Sequence, residues 1–426
     1  MPEEHVVVRR TLRGNPTRYW ERLATFDIAW HPNIQQCRVK TNDDGAIDRI
    51  FTDENGQEYQ ERLRYLSQTE GTLRYHMIRG IAAVHKYEAE IKLVQIADQT
   101  QITWSARVVA NAQDLERICA GTKEIFINSI KSLSSATNTT LSVNGQAKID
   151  QFSIQGNLVL TGLKTIPRDT QKPLIVFLHG IGGNAENWRA QLEVFGMDYP
   201  AIALNLRGYG GSGLGTNHTK LTDYYEDIIR SAEYWGYEKF ILVGLSYGAW
   251  IATAFAQAYP SKLCALIVAG GCTGMSEACD AERQAFLSAR LDPLNKGLAP
   301  KDFAQNVVDL IAGPNATTAQ RNKLSNSIAA IPSETYRDAL HCFCSPPQKH
   351  DFSRIFAPTF LITGEYDRLA PPAEIMSVAH RLNNARNGSA GPICYETVLG
   401  AGHLCNIEDP EAFNKYLRNA LSLISQ

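Results

Sequence analysis

The sequence has little of what would place it at a membrane, on a nucleic acid or around a metal. No apolar run is long enough to span a bilayer, and the opening Met1-Pro2-Glu3-Glu4-His5 lacks the cationic and apolar pattern of a signal peptide. Lys and Arg total 42 against 44 Asp and Glu, so the net charge is −2. They form no basic cluster of the kind that grips phosphate backbones or anionic lipid. The nine cysteines are odd in number and scattered, with no Cys-x-x-Cys pair, and Cys342-Phe343-Cys344 is too close for ordinary zinc spacing. They read as reduced thiols of a cytoplasmic protein, mostly buried as small hydrophobes. The expectations are no nucleic-acid partner, no membrane span and no metal.

What is present is an ordinary globular composition, 44% hydrophobic and 20% charged, spread over 426 residues. That length exceeds one ordinary core and predicts two domains. A Ser-, Thr- and Asn-rich stretch from Lys131 to Gly145 separates two differently patterned halves and predicts a linker at 136–147. In the first half, Asp43-Asp44-Gly45, Glu54-Asn55-Gly56 and Glu70-Gly71 read as hairpin turns between alternating segments. Ile102, Trp104, Ala106 and Val108 fall on one face of such a segment, and Leu73, Tyr75 and Met77 alternate similarly. Asn15-Pro16 opens a short helix. Asp114 to Ser132 places Leu115, Ile118, Thr122, Ile125, Ile130 and Leu133 near one helical face.

An antiparallel sheet wrapped around one long amphipathic helix follows. With Asp27-Ile28-Ala29-Trp30-His31-Pro32, Gln60-Glu61-Arg62-Leu63 and Tyr87-Glu88-Ala89-Glu90-Ile91, residues 1–135 resemble the START-like superfamily of polyketide-cyclase and lipid-binding helix-grip domains. That resemblance implies an enclosed apolar cavity and a possible apolar ligand, but no particular activity. Trp30, His31, Tyr75, His76 and Trp104 are candidate cavity residues. The plainer reading is preferred for them: aromatic packing and two ordinary histidines, since no nucleophile–base pattern stands out.

The second half carries short unbroken apolar runs at Leu174–Leu178, Ala201–Leu204, Phe240–Val243, Leu266–Val268 and Thr359–Ile362. Helical stretches separate several of them, as in a parallel sheet buried on both faces. Such sheets bind ligands at the carboxyl ends of their strands, and each chemical motif falls at such an end. Gly244-Leu245-Ser246-Tyr247-Gly248 follows one run and precedes a helical stretch. Its glycines remove side chains that would clash in a sharp strand-to-helix turn, leaving the Ser246 hydroxyl raised at the strand end. A serine nucleophile needs a base that an acid orients. Asp367, in Gly364-Glu365-Tyr366-Asp367 just past a strand, is the preferred acid; Glu365 would point elsewhere and Asp351 lies before the strand. His403, after Gly400-Ala401-Gly402, is the base, and the order Ser, Asp, His is the one this chemistry takes on such a sheet. The oxyanion of a tetrahedral intermediate would meet the amides of Tyr247 and Ile181, the latter in the loop His179-Gly180-Ile181-Gly182-Gly183. That loop lacks the spacing and the lysine of a nucleotide-phosphate loop, and His179 reads as a hydrogen-bonding support for it.

These motifs, with Asn205-Leu206-Arg207-Gly208-Tyr209-Gly210-Gly211-Ser212, resemble the α/β-hydrolase superfamily across residues 148–426, closest to its enol-lactonase-like and small carboxylesterase members. Asn205 departs from the Asp that relatives commonly carry there, a position that is normally structural. The expected architecture is therefore α/β: a C-terminal α/β-hydrolase fold, mostly parallel sheet with a helical cap, preceded by an α+β helix-grip domain. The resemblance makes the helical insert at about 272–351 a cap that sets the substrate, with Phe286, Leu287, Phe303, Val307 and Leu310 as its apolar positions. It implies acyl transfer to water without a cofactor, on a small-molecule ester, lactone or thioester. C–C bond hydrolysis, or a binding protein with a vestigial hydrolase half, are the alternatives.

Overall fold

The computed structural model describes residues 1–28, 31, 33–42, 44–53, 55–134, 147–167, 171–346, 349–386 and 390–424. The chain forms two compact units: Met1–Val143 with Arg386–Glu396 and Arg418–Gln426, and Asn144–Ala385 with Thr397–Leu417. All but one residue of the expected linker at 136–147 lies outside the described residues, as do Trp30, Asp43 and Glu54. All nine cysteines are free thiols. No described helix is long and apolar enough to cross a membrane.

Period-two alternation builds the first unit. Seven strands, β1 (Glu3–Arg13), β2 (Ile34–Thr41), β3 (Ile47–Asp53), β4 (Glu58–Ser67), β5 (Thr72–Arg79), β6 (Val84–Ile96) and β7 (Gln99–Ala110), pair antiparallel in the order β1-β7-β6-β5-β4-β3-β2. Ile393 and Cys394 add a parallel pairing to Tyr65 and Leu66 of β4. Gly45 and Gly56 take φ of 79° in the turns on either side of β3, where a Cβ would be strained. Helix α1 (Pro16–Leu23) starts on an Asn15 side-chain cap, and α2 (Leu115–Ser134) lies against β1 and β7. Trp104 stacks on Phe126 of α2 at 5.0 Å between ring centres, and its Nε1–H donates to the Tyr75 hydroxyl at 3.0 Å.

One expectation for this unit is corrected, that Ile125 lies on the inner helical face. Ile125 is 48% exposed, and Phe126, 1% exposed, takes the inner position. At about 100° per residue, Phe126 lies closer than Ile125 to the middle of the face formed by Leu115, Ile118, Thr122 and Leu133. His76 does not share a face with Tyr75. Adjacent strand residues point to opposite faces, and His76 stands opposite Arg62 and Glu88, where burial and the arginines at 62 and 64 push its pKa down to about 4. His31 is buried, and its Nδ1 accepts from the Asn33 amide at 3.1 Å.

The second unit contains β8 (Asp150–Ile154), β9 (Leu160–Thr165), β10 (Leu174–Leu178), β11 (Ala201–Leu204), β12 (Phe240–Leu245), β13 (Leu263–Ala269) and β14 (Thr359–Gly364). Their order is β14-β13-β12-β10-β11-β9-β8; the five from β10 to β14 run parallel, and the β8–β9 hairpin joins antiparallel. Every residue of β10 is fully buried, as a strand covered on both faces requires. Helices α3 (Arg189–Phe195), α4 (Leu221–Tyr234) and α5 (Tyr247–Ala258) follow β10, β11 and β12. The insert between β13 and β14 holds α6 (Asp280–Asn295), α7 (Pro300–Ile311), α8 (Thr318–Ala329) and α9 (Ser333–Cys344). All four lie within the stretch expected to be a helical insert, about 272–351. The aromatic, Thr, His and Cys residues of α9 are weak helix formers held by burial of Tyr336, Ala339 and Leu340. Helix α10 (Pro372–Ala385) follows β14.

Candidate active site

The site is built where β12 breaks into α5. Ser246 stands at that break with φ 54° and ψ −114°, a conformation costing a non-glycine residue about 1–3 kcal/mol. The crowding explains the two glycines. A Cβ on Gly244 would lie 2.2 Å from the Gly248 carbonyl oxygen, and one on Gly248 would lie 2.4 Å from that of Leu178. Packing thus holds Ser246 Oγ off the strand end, beside the first turn of α5.

Asp367 lies in the turn after β14 and is 4% exposed. Its Oδ1 accepts from the amides of Leu369 (2.8 Å) and Ala370 (2.9 Å), which leaves Oδ2 for His403 Nδ1 at 2.8 Å. An ionised carboxylate only accepts, so Nδ1 carries the proton. Nε2 is then the acceptor for Ser246 Oγ–H, also at 2.8 Å. The three residues chosen from sequence are therefore brought into one hydrogen-bonded line. The rejected acids lie elsewhere: Glu365 accepts from the Gly400 amide at 2.8 Å, and Asp351 accepts from the Ser353 amide at 3.1 Å.

The loop Gly180–Gly183 faces the serine. A Cβ on Gly180 would come within 3.2 Å of Ser246 Cβ. His179, fully buried, fixes this loop: Nδ1–H donates to the Gly180 carbonyl at 2.7 Å and Nε2 accepts from the Leu206 amide at 3.0 Å. Burial pushes its pKa down to about 4, which keeps the ring neutral and able to accept. Among the described residues, neither the Ile181 nor the Tyr247 amide donates to a backbone acceptor. Tyr247 begins α5, so its amide is one of the helix's first donors. Asn205 is structural: its Oδ1 accepts from the Ala185 amide, and its Nδ2 donates to Thr161 Oγ1 and the Gly210 carbonyl.

The sequence reading missed the residue that holds the His403 loop. Glu408, buried at the end of the short helix Cys405–Glu408, accepts from the amides of Gly402 (2.9 Å), Leu404 (3.3 Å) and Gly313 (2.7 Å). It clamps the backbone on both sides of His403. The signal available in sequence was an acid following the Gly-x-Gly-His loop inside an apolar stretch.

A cavity of about 490 Å³ borders Ser246 and His403, and its lining includes Ile181, Tyr247 and residues of the insert between β13 and β14. Phe286, Phe303, Val307 and Leu310 of the cap line it, whereas Leu287 does not. The volume suits a small organic molecule.

A chain with this α/β sheet has known counterparts. Over 245 residues the chain is 22% identical to a 3-oxoadipate enol-lactonase 2 of Acinetobacter baylyi, covering 57% of this chain and 86% of the relative. It is 24% identical to an epoxide hydrolase 3 of Xenopus tropicalis over 315 residues, 67% of this chain and 79% of that protein. An esterase structure from Thermogutta terrifontis superposes with a TM-score of 0.56 at 20% identity, over 65% of this chain and all of the other. These relatives carry different reactions on one scaffold, so the fold does not name the substrate. Residues 175–416 match the alpha/beta hydrolase family, and the chain belongs to it.

Proposed function

We propose that the chain is a serine hydrolase acting on an ester, lactone or thioester of a moderately apolar acid. His403 Nε2 takes the Ser246 proton as Oγ bonds to the substrate's carbonyl carbon. The resulting oxyanion accepts from the Tyr247 and Ile181 amides; one such donor is worth about 3–4 kcal/mol in other hydrolases. Collapse breaks the bond to the leaving oxygen or sulfur, and the imidazolium returns its proton to that atom. Water then attacks the acyl-enzyme with His403 as base, releasing the acid and restoring Ser246. Asp367 holds the ring in the required tautomer and stabilises its cation.

The observation that supports this most is the line of two 2.8 Å hydrogen bonds ending on a strained serine under a cavity. The test is labelling with a fluorophosphonate probe, read by intact mass. One adduct on the wild type and none on Ser246→Ala is the expected result. No adduct on folded wild type would overturn the reading.

The same proposal takes residues 148–426 as the hydrolase with a cap at about 272–351. It takes residues 1–135 as a helix-grip module for an apolar ligand. The antiparallel sheet with a 20-residue helix against β1 and β7 supports that second part. Native mass spectrometry of the full chain would test it: co-purifying apolar mass on Ser246→Ala is expected, and its consistent absence counts against a bound ligand.

A further inference from the structure

The cavity over Ser246 is mostly apolar, yet one arginine lines it. Arg290, on α6, is the one lysine or arginine among the described residues lining the cavity. It is half-buried, and its guanidinium carbon sits 3.4 Å from the ring centre of Phe286, one turn earlier on the same helix. Phe286 lines the cavity as well, so the stack holds the planar fork at the cavity wall.

Arg290 has no counter-charge among the described residues. The arginines near it are all engaged: Arg283 bonds the Met275 carbonyl and Asp280, and Arg337 bonds Asn295. For Arg290 no ion pair to any described carboxylate is present. The groups that bear on it electrostatically are the Tyr336 hydroxyl and the Cys344 thiol, both of which burial keeps neutral at pH 7. A half-buried cation without an anion is costly, and the cost is relieved when an anionic ligand arrives. The opposite sign lies at the other end. Glu374, in the first turn of α10, also lines the cavity, and its electrostatic neighbours are Asp367 and Glu277. The triad end thus repels an anion and the α6 wall attracts one.

We propose that Arg290 is a specificity residue that binds a carboxylate at the far end of the substrate's acyl chain. The substrate class is then half-esters of dicarboxylic acids, with the scissile carbonyl at Ser246 and an apolar spacer against the Phe286, Phe303 and Val307 side chains. Planar two-oxygen recognition is what a stacked guanidinium offers. This rests on the serine-hydrolase reading above.

The test compares 4-nitrophenyl hydrogen adipate with 4-nitrophenyl hexanoate, which has the same acyl length and no charge. Full-length wild type, Arg290→Gln and Arg290→Lys are assayed after thermal melts show each folded. Wild type is expected to prefer the anionic ester in kcat/KM. Arg290→Gln should lower that preference about 10- to 100-fold, chiefly through KM, and Arg290→Lys should restore part of it. Equal preference in wild type and Arg290→Gln overturns the proposal. A binding arm separates it from the parent reading: adipate should raise the melting temperature of wild type and Ser246→Ala more than that of Arg290→Gln. If that difference holds while neither ester is cleaved, the hydrolase reading fails and the anion site stands. If both esters are cleaved but adipate stabilises all variants alike, only the Arg290 proposal falls.

Discussion

In the first unit, Arg49 and Glu61 are buried and bond each other, with the guanidinium 2.6 Å from the carboxylate and lying over the rings of Phe26 and Tyr75. In the second, Asp367 and His403 are buried as deeply, but their line of hydrogen bonds ends at Ser246 Oγ, which borders a cavity. The first arrangement is closed: each charge is answered within the protein. The second is open at one end, where the hydroxyl that donates to His403 also borders the cavity. Buried polarity alone therefore does not mark a candidate site. What marks this one is a hydrogen-bonded chain that ends at a cavity. Backbone strain follows no such rule, since Phe26 (φ 57°) and Ala97 (φ 53°) share the left-handed region with Ser246 and lie in the other unit.

The contrast can be broken at either end, and the largest effect belongs to the open chain. Ser246→Ala should lower kcat on a cleaved ester by about 10⁵-fold or more with little change in melting temperature. Adding His403→Ala should then cost almost nothing further, because the line acts as a unit; additive losses would argue against it. At the closed pair the loss is stability instead. Arg49→Leu should cost about 3–5 kcal/mol in urea unfolding by stranding Glu61, whereas the double variant Arg49→Leu/Glu61→Leu should recover much of it. A double variant as unstable as the single would show that the two charges do not act as a pair.

Acid sharpens the comparison next. His179 and His350 are both held near pKa 4 by burial, against an ordinary 6.5. Between those values the unfolded chain binds protons that the folded chain refuses. Their contribution is complete above pH 6.5 and is lost as pH falls toward 4, roughly 3 kcal/mol for His179 alone. Unfolding free energy measured from pH 7 to pH 4 should fall accordingly, with a shallower slope in His179→Gln. The smallest effect is at the clamp: Glu408→Gln should lower kcat about 10-fold with KM nearly kept, by loosening the loop that aims His403. A change in KM alone would assign Glu408 to substrate binding.

The hydrogen-bonded line from Asp367 through His403 to Ser246 was legible because its signals are local. An elbow shows as glycines around a serine between an apolar run and a helical one, and Asp367 and His403 each follow a strand run at the expected end. The parallel sheet was legible for the same reason. What escaped was set by partners far away in the chain. Glu408 takes its meaning from Gly313, and the Arg49–Glu61 pair from a hairpin register that no single segment states. Strand β1 pairs with β7 about a hundred residues on, and nothing within Glu3–Arg13 names that partner. Arg290 is one of several charges on α6, and nothing within Asp280–Asn295 states that it lines a cavity shared with Ser246.

The elbow also divides the molecule for anyone wishing to redirect it by laboratory evolution. Random codons at 244 or 248 would yield almost nothing but dead clones, since the shortest added side chain meets a carbonyl oxygen at 2.2 and 2.4 Å. Phe303, Val307 and Leu310 sit on one face of α7, four and three residues apart, and line the cavity that Ser246 borders. A library confined to that helix face samples new substrates while the reaction itself stays intact.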